Sequence, residues 1–388
     1  MSGLQISSTS TEKQRTICQQ KLQAVENHIA RKVGSVVQAR IDALKIGQKM
    51  QDLPEELWHE SFRYYVKADP NRKGGPNMRL IRLDPQQPSL TVTAYIFNKF
   101  VHPTENRYIT VREAARLQGF PDNLSFYGTL TSTQLQVGNA VPIPLGQAVC
   151  QAVLAYAHEQ GLTSQDLTAM SLFSGAGGLD IGADQAGYKG YRIRTLLALD
   201  NWADAVSTLS GWYGSRCAVV LSDIQQLDDP IGFWQEYSKH NTLPDLLYGG
   251  PPCQAFSQCG RQKHINDPRG QLIGEYLRII EQIQPRFFIL ENVSNLRGVG
   301  GGKLYQEIQD SIRDLGYTVN VNLLNAADYG APQKRCRVFF LGVRGNYPPI
   351  PLPDPSHGEQ PTLFSNQRWV GVGEAFKGLP AARFNGDD

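Results

Sequence analysis

The chain has 388 residues, 41% of them hydrophobic, which suffices for one large domain or two smaller domains with packed cores. No apolar run approaches the roughly 18 residues of a membrane span, and the opening MSGLQISSTSTEKQRT lacks the apolar stretch of a secretory signal. The net charge of +2 neither requires nor excludes a nucleic-acid partner, because a cationic face is compatible with a nearly neutral total.

The N-terminal region is predicted to be loosely helical and then irregular. Residues 1–45 are polar and contain the helix-like run TEKQRTICQQKLQAVENHIARKV. Residues 46–76 mix prolines and glycines with aromatic and cationic residues, as in LWHESFRYYVKADPNRKGG. Because proline and glycine interrupt regular structure, we expect this second stretch to be rich in loops.

Two helices are predicted next. In TVREAARLQGFPD, Thr110 and Glu113 have the spacing of a capping box, which predicts a short helix that stops at Gly119. A second helix, about 144–160, has regularly spaced Ala, Val and Leu and ends at Gly161.

From about residue 168, short apolar strands alternate with helices, which indicates an open parallel α/β sheet. The predicted strands are TAMSLF, TLLALD, AVVLSD, LLYGG, FFILENV, TVNVNLL and RVFFLGV. The predicted helices between them include 202–212, 270–284 and 303–315. After Arg344 the chain becomes proline-rich and then ends in a short helix-like tail, VGEAFKGLP.

A glycine-rich segment, SLFSGAGG, follows the first strand of this region and precedes a helix. Glycines at such a turn allow the backbone to approach a ligand at the helix N-terminus. Asp200 and Asp223 close the next two strands, so both carboxylates should face the same crevice as the glycines. A ribose diol suits the first carboxylate and an adenine amine the second. No P-loop lysine follows, so an adenosine-containing cofactor fits better than a nucleoside triphosphate; a purely structural turn is the alternative.

Cys253 is the predicted nucleophile. The six cysteines are scattered, with no CxxC pair and no metal-like spacing, which indicates reduced thiols and no metal site. Cys253 alone follows two prolines at the end of a strand, in GGPPCQ, where its thiol should face the crevice. A helix N-terminus or a nearby cation would raise the thiolate fraction.

Further candidate catalytic residues lie at neighbouring strand ends. Glu291 follows FFIL, where a general acid or hydrogen-bonding role is favoured over a capping or surface role. Strand alternation puts Gln333, Arg335 and Arg337 on one face. Two converging arginines suit an anionic or carbonyl-bearing substrate, and a solvated sheet edge is the alternative.

These segments together resemble the cytosine-5 DNA methyltransferases. SLFSGAGGLD, GGPPCQAFSQCGRQK, FFILENV, YGAPQKRCRVFFLGVR, RYITVREAARLQGFPD and QVGNAVP are similar to motifs I, IV, VI, VIII, IX and X of that family. The resemblance covers roughly residues 77–344 and implies a Rossmann-like S-adenosylmethionine-dependent methyltransferase fold. Such a fold has a mixed, mostly parallel seven-stranded sheet, joined to a small target-recognition region.

The resemblance also implies a mechanism. A cytosine flipped out of duplex DNA would be attacked at carbon 6 by Cys253, while Glu291 binds ring nitrogen 3 and the exocyclic amine. Arg335 would help to hold the base and the nucleophile, and Arg337 and Gln254 complete the expected catalytic set. Carbon 5 would take the methyl group, and a base would then remove its proton. The loop from Gln254 to about Gly270 would close over the base.

The cofactor implied is S-adenosyl-L-methionine, with S-adenosyl-L-homocysteine as product. Phe173 would stack on the adenine, Asp200 would bind the ribose and Asp223 the adenine amine; Asp200 replaces the usual glutamate and is one methylene shorter. Asn139 would border the cofactor and support the Cys253 strand. The complete expected set is Phe173, Gly175, Gly177, Gly178, Asp200, Asn201, Asp223, Ile224, Gly250, Pro252 and Asn139.

The motif order is permuted, because motifs IX and X precede motif I rather than close the chain. Such a permutation is physically easy when the original ends are adjacent. It predicts parts of the target-recognition region at 1–76 and 345–388, a motif IX–X segment at 77–160 that packs on both neighbours, and a catalytic domain at 168–344. The aromatic and cationic cluster around Trp58, His59, Tyr64 and Tyr65 suits phosphate and base contacts, with a solvated loop as the alternative. The expected DNA contacts are Arg63, Lys67, Arg72, Lys73, Arg261 and Lys263.

The predicted function is therefore site-specific methylation of double-stranded DNA by a cytoplasmic, nucleoid-associated bacterial enzyme of a restriction-modification system. We expect a monomer with no membrane association and with a cognate restriction endonuclease as a candidate partner in the same system; a second recognition subunit is the alternative. A tRNA cytosine-5 methyltransferase is the nearest alternative. A non-catalytic DNA-binding paralogue is disfavoured by the intact Cys253, Glu291 and Arg335, and a Rossmann oxidoreductase leaves the PPCQ and ENV strand ends unexplained.

Overall fold

The computed structural model describes residues 25–68, 80–94, 98–252, 271–361 and 367–384, with the backbone alone for residues 65–68. Within these residues the helices are α1 (Ser35–Ala43), α2 (Glu60–Ala68), α3 (Val111–Leu117), α4 (Leu130–Asn139), α5 (Ile143–Glu159), α6 (Gly178–Gln185), α7 (Ala203–Tyr213), α8 (Pro230–Ser238), α9 (Gln271–Ile283), α10 (Lys303–Asp314) and α11 (Val372–Phe376). Short 3₁₀ helices lie at Met50–Asp52, Glu55–Leu57, Ile224–Gln226, Ser294–Gly302 and Ala326–Tyr329.

A mixed sheet forms the centre of the fold. Its strands are β1 (Leu167–Leu172), β2 (Tyr191–Asp200), β3 (Ala218–Leu221), β4 (Leu246–Gly249), β5 (Phe287–Val293), β6 (Tyr317–Asn325) and β7 (Cys336–Arg344). They lie in the order β3-β2-β1-β4-β5-β7-β6, and of these seven strands β7 alone runs antiparallel to the other six. A two-residue strand, Gly187–Tyr188, turns back onto the start of β2 and makes the sheet eight-stranded.

Helices cover both faces of this sheet, which explains why its strands are almost continuously apolar. In β5, Phe287 and Ile289 face the side covered by α5 and α6, whereas Phe288 and Leu290 face the side covered by α8, α9 and α10. Gly342 of β7 leaves room for the Phe288 ring, because an added Cβ there would lie 1.9 Å from a ring carbon.

A second hydrophobic core joins the two ends of the chain. It includes Ile41 and Phe62 from the N-terminal region, Leu117 from α3, Val137 from α4 and Val372 from α11. The ends of the described chain also meet directly, because Ile29–Ala30 pairs in parallel with Arg383–Phe384. The buried His28 ring connects them further, through contacts with the Thr110 hydroxyl (2.8 Å) and the Pro380 carbonyl (2.9 Å).

The C-terminal tail crosses from the sheet domain to this second core. Beyond β7, Ile350 is buried in the core under the sheet. Trp369 then donates its indole N–H to Asp328 at 2.8 Å, and the backbone N–H of Val372 donates to the Gln87 carbonyl at 3.0 Å. Among the described residues, no single helix is long and apolar enough to cross a membrane, and α4 with α5 meets that test only as a bent pair.

Most predicted elements are confirmed, and the exceptions have physical causes. All seven predicted strands are present, and the Thr110–Glu113 capping box has both of its bonds, at 3.1 and 2.7 Å. The prediction of irregular structure over 46–76 is wrong for α2, where buried Phe62 packs edge-on against Trp58 with ring centroids 4.8 Å apart. Over residues 25–45, helix is limited to α1, and residues 1–24 lie outside the described chain.

Candidate active site

A cavity of about 600 Å³ opens at the carboxyl ends of the parallel strands. Its floor consists of the segments that follow β1, β2, β4 and β5. Residues 91–94 and the end of α4 close it from the other side, so both hydrophobic cores contribute to one cavity. A volume of this size suits a small-molecule ligand.

The glycine-rich turn after β1 is tightly constrained. Phe173 has φ +54°, a conformation that is rare for a bulky residue and often marks a functional turn. Gly175 and Gly177 also have positive φ, at +52° and +85°. At Gly178 a Cβ would lie 2.3 Å from the Val141 carbonyl oxygen, so only glycine lets this turn meet the segment after α4. Phe173, Gly175 and Gly178 line the cavity, and Gly177 is the N-cap of α6 behind it.

Asp200 lines the cavity at the end of β2, together with Asn201. One carboxylate oxygen accepts from the Gly175 N–H at 2.8 Å and the other from the Trp202 N–H at 2.9 Å. Burial raises the pKa of Asp200, and the backbone hydrogen bonds oppose that shift. The carboxylate therefore fixes the glycine turn, in addition to facing the position predicted for a ribose.

Asp223 and Ile224 do not belong to the residues that line this cavity. Asp223 caps the 3₁₀ turn that follows β3, because its carboxylate accepts from the Gln225 N–H at 3.0 Å. Ile224 is 3% exposed and packs in the core on the α9 side of the sheet.

The strand end that leads to Cys253 is held by β5. Gly250 lies so close to Glu291 that an added Cβ would be 2.6 Å from a carboxylate oxygen. The buried Asn292 amide donates to the Pro251 carbonyl at 3.1 Å. Gly250 and Pro252 line the cavity. Cys253 and Gln254 themselves lie outside the described residues.

Glu291 and Arg337 form a buried ion pair inside the cavity, with 2.8 Å between a carboxylate oxygen and the guanidinium Nε. Burial raises the pKa of Glu291, whereas Arg337 and then Arg335 lower it. This carboxyl group is thus easier to protonate than an exposed glutamate and can either donate or accept a hydrogen bond.

Arg335 also lines the cavity, but its guanidinium is bound to backbone. It donates to the carbonyls of Val92 (2.6 Å), Gly138 (2.9 Å) and Asn139 (3.4 Å). Its Nε has no partner among the described residues, and burial lowers its pKa. Gln333 is buried behind it and donates to the Leu117 carbonyl at 2.7 Å. The two side chains therefore connect the start of β7 to the second core.

Asn139 lies at the end of α4, exposed and at the cavity wall, as expected for a residue that borders a ligand. Two further groups that line the cavity were not predicted from the sequence. Thr91 and Thr93 line the cavity and belong to the segment PSLTVTA. The alternation of polar and apolar residues in this segment indicates an extended backbone, but the residues that it packs against are distant in sequence. Asp180, in the first turn of α6, also lines the cavity. Its position directly after the glycine-rich segment is the sequence feature that could have identified it.

The predicted DNA contacts are only partly described. Arg63 donates to the backbone carbonyls of Glu55 and Glu56 at 2.8 and 3.0 Å, and Trp58 donates to that of Leu53 at 2.7 Å, so both support the local fold. The Lys67 side chain and residues Arg72, Lys73, Arg261 and Lys263 lie outside the description.

Comparison with known proteins gives consistent matches. The model of the C-5 cytosine-specific DNA methylases matches residues 4–155 and 167–372. The Type II methyltransferase M.FnuDI of Fusobacterium nucleatum is 33% identical over 56% of this chain and 60% of its own length, so the chain spans less than two thirds of that relative. The Type II methyltransferase M.AquIA of Picosynechococcus sp. is 35% identical over 55% of this chain and 89% of its own length. A solved DNA modification methyltransferase from an E. coli prophage is 31% identical over 46% of this chain and 47% of its own, with a TM-score of 0.38.

Proposed function

The chain belongs to the C-5 cytosine-specific DNA methylase family, and from that premise we propose that it methylates carbon 5 of a flipped cytosine in duplex DNA. The observation that carries the proposal is one cavity that combines the buried Glu291–Arg337 pair with the Gly250–Pro252 strand end leading to Cys253. Carboxyl, guanidinium and thiol are the groups that activation of a cytosine ring requires.

The residues present fit S-adenosylmethionine, the cofactor of this family. The strained Phe173 turn, the carboxylate of Asp200 and the amide of Asn139 surround about 600 Å³ of cavity. Asp180 offers there a buried carboxylate oxygen without a partner among the described residues. When bound, the cofactor supplies an electrophilic methyl group. The proposed cofactor contacts are those expected from the family. Of these, Asp223 and Ile224 are not among the residues that line the cavity.

In the proposed mechanism, the Cys253 thiolate forms a bond to carbon 6 of the cytosine, and the ring electrons move to carbon 5. Glu291, whose pKa is raised by burial, donates a hydrogen bond from its protonated oxygen to ring nitrogen 3, and its other oxygen accepts one from the exocyclic amine. Arg337 holds the Glu291 carboxyl in place, and Arg335 fixes the opposite wall. Carbon 5 then gains the methyl group, a base removes the proton from carbon 5, and the electrons of that C–H bond restore the ring double bond as the carbon–sulfur bond breaks and frees the Cys253 thiolate. Gln254 follows the nucleophile and completes the proposed set.

We further propose that the chain is a circular permutation of its family. The family model matches in two stretches that are separated at residues 156–166, where α5 runs directly into β1. The pairing of Ile29–Ala30 with Arg383–Phe384 supports this, because in an unpermuted relative these two segments would belong to one continuous stretch of chain. The recognition region would then be built from both termini around the second core, with DNA contacts from the N-terminal part.

The biological setting follows from this activity. An enzyme that modifies duplex DNA at a specific sequence would act on the chromosome in the bacterial cytoplasm, at the nucleoid. Its Type II relatives favour a restriction-modification system, with an endonuclease of the same specificity as its counterpart. We propose that the chain acts as a monomer.

The direct test is methyl transfer from labelled S-adenosylmethionine to duplex DNA and, separately, to tRNA, followed by bisulfite sequencing of the methylated DNA. We expect labelled DNA and unlabelled tRNA. Cys253→Ser should abolish transfer and Glu291→Gln should slow it roughly a hundred- to ten-thousandfold. Cys217→Ser is the matched control, because Cys217 packs beside Ala198 in the core and is not among the cavity-lining residues. Labelling of tRNA alone, or full activity of Cys253→Ser, would contradict the proposal.

A further inference from the structure

Three cationic residues, Lys99, Lys334 and Arg335, contact Thr91 or Val92 beside the cavity, and we call them the cationic wall. Thr91 connects them. Its carbonyl accepts from the Lys99 ammonium, and its hydroxyl donates to the Lys334 carbonyl at 2.9 Å. Arg335 donates to the carbonyl of the next residue, Val92, at 2.6 Å. Arg335 and Thr91 line the cavity, so the Lys99 ammonium, which is bonded to Thr91, lies beside it, whereas Lys334 contacts Thr91 through its backbone carbonyl.

Among the described residues, none of these three cations forms an ion pair with a carboxylate. Lys99 and Lys334 lie over aromatic rings instead, with their ammonium nitrogens 4.7 Å from the Phe100 centroid and 4.5 Å from the Trp369 centroid. Arg335 is bound to backbone carbonyls.

The acidic groups near the wall are already occupied. Glu291 is paired with Arg337, and Asp328 accepts from the Trp369 indole. A partly buried cation without a counter-charge is unfavourable, and a second cation beside it increases that cost. The pKa of Lys99 reflects both effects, because burial and then Arg335 lower it to about 8. Within the described ranges, the cationic wall therefore has the charge of an anion site and no carboxylate paired with it.

We infer that Lys99 binds a backbone phosphate of the DNA strand that carries the target cytosine. The inference rests on the proposed function, since a cytosine that enters the cavity brings its flanking phosphates to this edge. A phosphate oxygen would accept from the ammonium beside Thr91 and supply the missing charge. The other anion available at this cavity is the carboxylate of the cofactor, and the two sources predict different binding defects.

The test compares duplex DNA binding by wild type, Lys99→Gln and Lys99→Arg, in the presence of S-adenosylhomocysteine, by fluorescence anisotropy. The duplex carries the sequence that wild type methylates. Lys99→Gln should bind it roughly ten- to hundredfold more weakly at low salt, the range for a hydrogen bond to a charged group. Between about 50 and 200 mM salt, its log–log slope should be smaller by about 0.9, because one phosphate contact is lost. Lys99→Arg should keep the wild-type slope.

Lys189→Gln is the matched control. Its ammonium also lies over an aromatic ring, 4.9 Å from the Tyr188 centroid, but at the amino end of the sheet, away from the cavity. It should change neither affinity nor slope. Thermal unfolding and S-adenosylhomocysteine affinity should be unchanged in Lys99→Gln.

The outcomes separate the two proposals. If wild type methylates the duplex but Lys99→Gln keeps its salt slope, the phosphate contact is refuted and the proposed function stands. Weakened S-adenosylhomocysteine binding with unchanged DNA binding would assign the site to the cofactor carboxylate and also refute the contact. If wild type neither binds nor methylates duplex DNA, both proposals fail together.

Discussion

Asp180 has a fully buried carboxyl group whose loss of hydration is only partly compensated by hydrogen bonds. One carboxyl oxygen accepts a hydrogen bond from the Tyr248 hydroxyl at 3.2 Å. The Tyr248 hydroxyl in turn lies 2.7 Å from the Thr195 hydroxyl. The other oxygen has no partner among the described residues. Burial raises the pKa of Asp180 from 3.8 to about 7, although hydrogen bonds to Ser171 and Tyr248 lower it. Its ionisation should therefore affect the stability of the fold.

Asp180→Asn should make the protein more stable at alkaline pH. Because the folded-state pKa is raised, the folded protein holds a proton that the unfolded chain has lost, between about pH 4 and pH 7. Wild-type stability therefore falls as pH rises through this window, and the amide variant should not share that fall. Urea denaturation near pH 5 and pH 8 measures the effect, which should be on the order of a few kcal/mol.

The control for this prediction is Asp310→Asn in α10, whose exposed carboxylate is paired with Arg313 at 2.7 Å. It should retain the wild-type fall in stability between the two pH values. An Asp180→Asn protein with the same fall as wild type would show that the buried carboxyl does not control it.

At the scale of elements, close contacts of glycine join α5 and α6. A Cβ added to Gly182 would lie 2.7 Å from the backbone nitrogen of Gln147. A Cβ added to Gly146 would lie 3.2 Å from a methyl carbon of Leu179. With the contact of Gly178 on Val141, these approaches press the glycine turn against the segment that carries Asn139. The shape of the cavity on the side of the glycine-rich turn therefore depends on glycines, which allow these close approaches of the backbone.

Gly178→Ala should both destabilise the protein and weaken S-adenosylhomocysteine binding. The new methyl group must displace the Val141 carbonyl, and overpacking of this kind costs about 1–3 kcal/mol. Gly274→Ala is the control, because no atom lies within 4 Å of its Cβ position in α9 and alanine favours helix by up to about 1 kcal/mol. Denaturation and calorimetric titration check both. Wild-type binding by Gly178→Ala would mean that the turn adjusts freely.

Much at this scale was predictable from the sequence, for local reasons. Strands buried on both faces are continuous apolar runs, and the methyltransferase fold expected from the motifs is confirmed. Glu291 and Arg337 could be anticipated to meet, because strand order sets which ends are adjacent. Helix α4 was missed, since its sequence, LTSTQLQVGN, is polar and poor in helix formers; the Thr129 cap and burial of Val137 stabilise it. The hydrogen bond from the Gly175 N–H to the Asp200 carboxylate could not be predicted, because no local sequence pattern specifies the geometry of the glycine turn.

At the scale of the molecule, the N-terminal and C-terminal regions share one core. Val372 packs with Ile41 and Phe62, although more than half of the chain separates them. The motif order predicts that both ends contribute to one recognition region, and that remains a prediction. It could not predict the path of the tail, because Trp369 and Val372 find their partners through contacts that are distant in sequence.

A chain rewired to begin at Gln165, with residue 388 joined to Met1 through a short glycine–serine linker, should fold and methylate DNA. The new ends would lie in the exposed connection before β1, and the old ends already meet at Ile29 and Arg383. Unfolding temperature and methyl transfer should stay close to wild type. The matched control opens the chain between Leu154 and Ala155 inside α5, where Leu154 is fully buried, and it should not fold. Failure of the first variant would contradict the proposed permutation.

The contact between His28 and Pro380 has a consequence for synthesis of the protein. The two residues are 352 positions apart, so a ribosome adding about 5–20 residues per second needs roughly 20–70 s between them. During that interval the apolar surface that the amino-terminal segment presents to Val372 in the shared core stays uncovered. We expect this segment to depend on chaperones until the segment around Val372 has been made.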